Sequence, residues 1–193
     1  MARRTRAEME ETRATLLTTA RDYFSRLGYA ETSMDDLTAS ANLTRGALYH
    51  HFGDKKGLLA AVVEQIDAEM DSRLQVISNN AQNPWSGFCE RCHSYLKMAI
   101  EPEYQRIVLY DAKAVFGGVS ASSQQYCIDS MEKILSELIQ QGVIAQASAK
   151  VLATLIYGSL AEAACWIAQK DSANRLTESI TAIDLLLSGL LRK

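Results

Sequence analysis

The chain has 193 residues, enough to bury about 70% of its unfolded surface, so a core can form without disulfides or a structural metal. Apolar residues make up 48% of it, yet no uninterrupted apolar run approaches the length of a membrane span, and Met1 to Arg6 leads into charge rather than an export segment; the expected location is cytoplasmic. The net charge of −3 argues by itself against nucleic acid, but residues 1–60 hold nine Lys or Arg against eight Asp or Glu and residues 61–193 eleven against fifteen, so positive charge is skewed to the front.

Strand signals are poor, and the chain reads as all-α. A first helix is expected over Ala7–Leu27, with Leu16, Leu17, Ala20, Phe24 and Leu27 at helical spacing and Gly28 as a left-handed cap. Ser33 followed by Asp36 is a capping box that opens a short helix, Met34–Ser40. Ala41-Asn42-Leu43 makes a tight connection, Asn42 tolerating the left-handed conformation, and Thr44 caps a second short helix through His51. Two short helices joined by a tight turn are the mark of a helix-turn-helix. A longer helix follows from its cap Asp54 toward Ser78, then helices at about Pro84–Ile100, Pro102–Val115, Ser123–Gln141, Ser148–Gln169 and Ser172–Leu191, with caps expected at Asn83 and Glu101.

The stretch Thr32–Leu59 resembles the DNA-binding domain of the TetR family. It has a Thr-Ser cap, an acidic first turn and a small-residue turn, then Gly46-x-Leu48-Tyr49-x-His51-Phe52 and Asp54-Lys55-Lys56-x-Leu58-Leu59. Thr38 stands where the family prefers Ala, and Asn42 where it prefers Gly. The resemblance implies a helix-turn-helix DNA-binding domain over residues 1–56 and an effector-binding and dimerisation domain over 57–193. In such a motif the second helix enters the major groove by its N-terminal end, which gives Thr44, Arg45, Gly46, Ala47 and His50 to base reading. Arg45 has the chemistry for a two-pronged contact to guanine, while Gly46 and Ala47 permit close approach. Ser33, Thr44, Tyr49, His51 and Lys55 lie where the family contacts phosphates, setting register. Arg3, Arg4 and Arg6 form a basic arm suited to the minor groove or the phosphate track. Leu37, Leu48 and Phe52 read as the small domain's core.

The last two helices carry apolar faces: Leu152, Leu155, Ile156, Ser159 and Ala163 on one, Ile180, Ile183, Leu187 and Leu190 on the other. These suit either a monomer's core or a partner; the resemblance implies that the helices pair across a twofold axis, giving a homodimer on a palindromic operator of double-stranded DNA. Between reader and dimer lie Trp85, Phe88, Tyr95, Met98, Tyr104, Tyr110, Phe116, Tyr126 and Trp166, large side chains that suit a pocket for a small organic effector, or ordinary core. The expected function is therefore a transcription regulator, most simply a repressor released by its effector, with an activator of the same fold as the alternative. No Ser-His-Asp, paired-carboxylate or phosphate-loop arrangement suggests an enzyme, and no cofactor is expected. Cys89-x-x-Cys92-His93 mimics a haem-attachment sequence, and since its three side chains share a helix face it also raises a thiol- or metal-responsive regulator.

Overall fold

The structure, a computed structural model, describes residues 5–118 and 121–192. Its elements are α1 Arg6–Leu27, α2 Met34–Ser40, α3 Arg45–Phe52, α4 Lys55–Asn80, α5 Pro84–Met98, α6 Pro102–Tyr104, a π-helix Gln105–Ala112, α7 Lys113–Phe116, α8 Ala121–Gln140, α9 Ala149–Gln169 and α10 Ser172–Ser188. The all-α expectation holds: among the described residues the β pairing present is an isolated bridge between Ile144 and Leu191. Arg3 and Arg4 lie outside the described residues.

Most helix starts are fixed by side chains that satisfy otherwise orphaned backbone N–H groups. Thr5 accepts from the Glu8 N–H while the Glu8 carboxylate accepts from the Thr5 N–H at 2.7 Å, a full capping box. Thr44 accepts from the Ala47 N–H, Asp54 from the Gly57 N–H at 2.6 Å, and Asn83 from the Ser86 N–H ahead of Pro84. Ser33 accepts from the Asp36 N–H. Glu101 occupies its cap position without capping, because its carboxylate turns to the Arg73 guanidinium at 2.6 Å.

Two compact units emerge from the packing, Met1–Ile66 with Arg106–Gly118, and Asp67–Gln105 with Val119–Lys193. In the first, α1 packs on α2 and α3, and α2 on α3. Its core is Leu16, Ala20, Phe24, Leu37, Leu48, Leu58, Leu59 and Val62, all without solvent exposure. Phe52 is half-buried beneath the Arg13 guanidinium, and Leu27 is exposed at the helix end. Thr38 is buried, and its hydroxyl donates to the Met34 carbonyl at 2.9 Å, which is how a polar side chain is tolerated there. Asn42 has the expected left-handed φ of 54°. Gly28 has a positive φ, 82°, but its ψ of 168° is extended rather than left-handed.

One expected helix, Pro102–Val115, is not a single α-helix: its middle, Gln105–Ala112, is π-helical. The wider turn brings residues five apart onto one face. Arg106 and Asp111 therefore point together at the end of α1: Arg106 Nη2 donates to the Leu27 carbonyl at 2.9 Å and the Asp111 carboxylate accepts from the Tyr29 N–H at 2.7 Å. A Cβ on Gly28 would collide with the Arg106 guanidinium.

In the second unit α8 packs on α9, α9 on α10, and α5 on α8, α9 and α10. Phe88, Cys92 and Leu96 of α5, Leu135 and Leu138 of α8, and Ala153, Ala164 and Ile167 of α9 are fully buried.

Candidate functional site

The helix-turn-helix presents its second helix by the N-terminal end. Thr44, Arg45, Gly46, Tyr49 and His50 are exposed and Ala47 half-exposed, whereas Leu48 on the opposite side is fully buried. Gly46 is not demanded by local packing, since a Cβ there would meet nothing nearer than the Thr44 hydroxyl at 3.8 Å. The bare backbone leaves room for something outside the chain.

Arg45 is held as well as exposed. Its Nη1 lies 2.9 Å from an Asp35 carboxylate oxygen on α2, its Nη2 donates to the Tyr49 hydroxyl at 3.2 Å, and its pKa is raised, by the Tyr49 hydrogen bond first and Asp35 second. The guanidinium is thus aimed from the start of α3 by the helix before it. His50 and His51 meet edge to face at 5.4 Å. Lys55 sits over the Tyr29 ring at 4.7 Å and donates to the Ala30 carbonyl; partial burial lowers its pKa. Ser33 is spent as an acceptor on its own helix, which leaves its hydroxyl proton free to donate outward.

The nine large side chains expected around an effector do not form one set. Phe88 lines a cleft of about 520 Å³ in the second unit and Tyr95 a small enclosed chamber of about 20 Å³. The Trp85 ring lies tilted against that of Phe88, centroids 6.3 Å apart, and Met98 and Tyr104 are buried. Tyr126 is exposed, but its hydroxyl donates to Asp71 at 3.2 Å. Tyr110 and Phe116 are exposed and belong to the first unit, Phe116 lying under the Lys56 ammonium. Trp166 is exposed on α9 beneath Arg175.

What connects the cleft to the chamber is a charged pair that the sequence reading missed. Arg91 and Asp71 are 3% and 5% exposed; Arg91 Nη2 donates to Asp71 at 2.6 Å and to the Ser130 hydroxyl at 3.2 Å. The chamber around them includes Asp67, Cys127 and Tyr157. Burial, ahead of the neighbouring tyrosine, raises the Tyr95 and Tyr104 pKa values, and burial ahead of Asp67 pushes Cys127 up to about 11. The available signal was spacing: Arg91 sits three after Phe88 and four before Tyr95, an inward position for a charge, and Asp71 falls likewise between Asp67 and Leu74.

The arrangement expected of a thiol or metal sensor is not what the structure holds. Cys92 is fully buried and its thiol is pushed up to about 12, that of Cys89 up to about 11, in both cases by burial first. Both shifts disfavour the thiolate that reactivity needs. His93 Nε2 is engaged with Asp184 of α10 at 2.6 Å, and among the described residues no His, Cys, Asp and Glu cluster could hold a metal ion.

The expected dimer face splits in the same way. Ile156, Ile183 and Leu187 are buried inside the chain, and Leu152, Ala163, Ile180 and Leu190 partly so. Leu155 is 63% exposed, Ser159 is exposed beside it, and the apolar side chains actually turned outward with them are Val151, Trp166, Leu185 and Leu186. The expected set thus mixes covered and uncovered positions of the two helices.

A three-helix head with an exposed, donor-bearing reading helix, joined to a helical unit with a cleft, defines a DNA-binding regulator. Residues 16–62 match a family model described as bacterial regulatory proteins of the tetR family, and residues 85–190 one described as the tetracyclin repressor-like C-terminal domain. The crystal structure of a TetR-family transcriptional regulator from Pectobacterium atrosepticum is 67% identical, covering 98% of this chain and 99% of that one at a TM-score of 0.93. The Transposon Tn10 TetC protein of Escherichia coli is 28% identical over 77% of this chain and 76% of its own length. The HTH-type transcriptional regulator AcrR of Shigella flexneri is 30% identical over 69% of this chain and 66% of its own. The chain belongs to the TetR family of transcriptional regulators.

Proposed function

We propose that this regulator is a repressor that binds a palindromic operator as a homodimer in the cytoplasm and is released by a small organic effector. The observation that carries the reading is the exposure of Thr44, Arg45, Gly46 and His50, with Ala47 half-exposed, around the N-terminal end of α3, Arg45 being aimed by Asp35 and Gly46 left open. Arg45 and His50 read base edges; Ser33, Thr44, Tyr49, His51 and Lys55 fix register on phosphates, assisted by Arg6 and the residues before it. On this reading DNA binding resides in residues 1–56, and effector binding and dimerisation in 57–193.

Support for the dimer comes from the outward apolar side chains of α9 and α10, Val151, Leu155, Leu185 and Leu186, which water disfavours. Support for the effector comes from the cleft lined by Phe88 and Arg91. α4 carries residues of both units, so a change around Asp71 has a continuous helix through which to alter the spacing of two heads. Selection of DNA from random sequence tests the reading: a palindrome bound at constant salt, with Arg45→Ala weakening it and relaxing its sequence preference, is the expected result. Unchanged binding by that variant would remove Arg45 from the base-reading set.

A further inference from the structure

We infer that Arg91 is the recognition group for a small organic carboxylate bound in the cleft of the second unit; this rests on the reading of that unit as the effector-binding one. Arg91 interrupts the apolar face of α5 between Phe88 and Tyr95, and an interior guanidinium is costly unless its donors are matched. Only part of it is. Nη2 reaches Asp71 Oδ1 and Ser130, whereas Nε is buried with no hydrogen-bond partner.

A carboxylate that meets the side of a guanidinium normally takes Nε and Nη2 together. Asp71 does not, because its second oxygen is claimed elsewhere: Oδ2 accepts from Gln75 Nε2 at 2.7 Å and from the Tyr126 hydroxyl at 3.2 Å. The pair is therefore monodentate, and the Nε–H is left for another acceptor. Arg91 itself lines the 520 Å³ cleft, whose wall also bears Lys133 against one carboxylate, Glu137, and apolar surface from Ile134 and Pro84 in front of the buried Phe88. The demand is for an anionic oxygen at Nε and an apolar body against Ile134 and Pro84. A monocarboxylic acid with an aromatic or short aliphatic body supplies both.

Such an acid shares Nη2 with Asp71 or displaces it. Asp71 and Gln75 lie on α4, Arg91 on α5, and Tyr126 and Ser130 on α8, so the ligand competes for the contact that staples these three helices together. Effector chemistry and conformational response meet at one guanidinium.

The test is calorimetry and thermal unfolding of the full chain with phenylacetate, benzoate and octanoate, set against phenylacetamide and phenethylamine as bodies without the anion. The carboxylates are expected to bind and raise the unfolding temperature, the amide and amine to do neither. Arg91→Lys keeps a cation beside Asp71 but has no Nε–H fork; it is expected to fold and to bind the acids on the order of tenfold more weakly. Asp71→Asn frees the fork, and its unfolding temperature is expected to rise more with phenylacetate than that of the unmodified chain. If no acid of the panel binds, if the amide binds as well as the acid, or if Arg91→Lys binds unchanged, the inference is overturned. Operator release is read separately. Acid binding without release would leave the Arg91 site standing and overturn the effector reading, whereas release by neutral compounds with no acid binding would do the reverse.

Discussion

At the scale of single residues, the site is a set of side chains held by their neighbours. Asp35 is the clearest case: it fixes Arg45 in the free head, yet puts a negative charge close to where phosphates are expected. Asp35→Asn should leave the unfolding temperature unchanged, because both partners are more than half exposed, and should strengthen operator binding several-fold at low salt in a shift assay. The buried acids predict the opposite kind of effect. Cys89 and Cys127 are pushed up to about 11 and Cys92 and Tyr157 up to about 12, burial being the first cause for each. In the unfolded chain these groups lose their protons near ordinary values of about 8.5 to 10, so the fold favours the protonated forms. Their contribution is fully present at pH 7 and declines as pH rises from about 9 toward 12; urea midpoints at pH 7, 9 and 10.5 should fall in that order, less steeply in Cys92→Ala. Alkylation of Cys89 at pH 8 should likewise be on the order of a hundred times slower in the native protein than in urea. Much at this scale was legible beforehand. Thr44, Asp54 and Asn83 cap as their residue types require, and the exposed edge of α3 follows from the motif. The inward positions of Arg91 and Asp71 were legible from spacing but their pairing was not, because the two lie 20 residues apart and Ser130 is on a third helix, and periodicity reports which face a residue occupies but not what waits there.

At the scale of elements, helix type depended on contacts that no local pattern records. Nothing in Gln105–Ala112 distinguishes it from an α-helix by composition; it is π-helical where Arg106 and Asp111 both engage the end of α1. Gly28 is the other half of that junction. Gly28→Ala would add a side chain at a positive φ and push out the Arg106 guanidinium, at a cost of about 1–3 kcal/mol of strain plus the lost hydrogen bond to the Leu27 carbonyl. Gly117→Ala shares the positive φ of 81° but meets nothing within 4 Å, so it carries the strain alone. Chemical denaturation of the two variants should therefore rank Gly28→Ala as the less stable. Spacing alone also mixes the covered and uncovered edges of α9 and α10. Leucine and isoleucine recur there on two faces, and the sequence cannot say which face its own chain covers.

At the scale of the whole molecule, the proposed dimer face on α9 and α10 is separate from the face that holds the fold. Leu155→Arg with Leu185→Arg should leave a folded chain, since both side chains are more than 60% exposed, but should sediment as a monomer and lose operator affinity. Leu187→Ala, at 1% exposure, should instead cost about 2–5 kcal/mol of stability, visible as a lowered unfolding temperature. The division into units has a consequence of another kind. The first unit is not a continuous piece of chain, because Arg106–Gly118, whose residues secure the end of α1, arrives after all of α5. During synthesis the first unit cannot be completed until residue 118 has left the ribosome, by which time the whole Asp67–Gln105 segment of the second unit has already been made. A nascent chain that stalls before that point carries every residue of the reading helix and lacks the clamp that finishes its support, so truncated products would compete poorly for the operator.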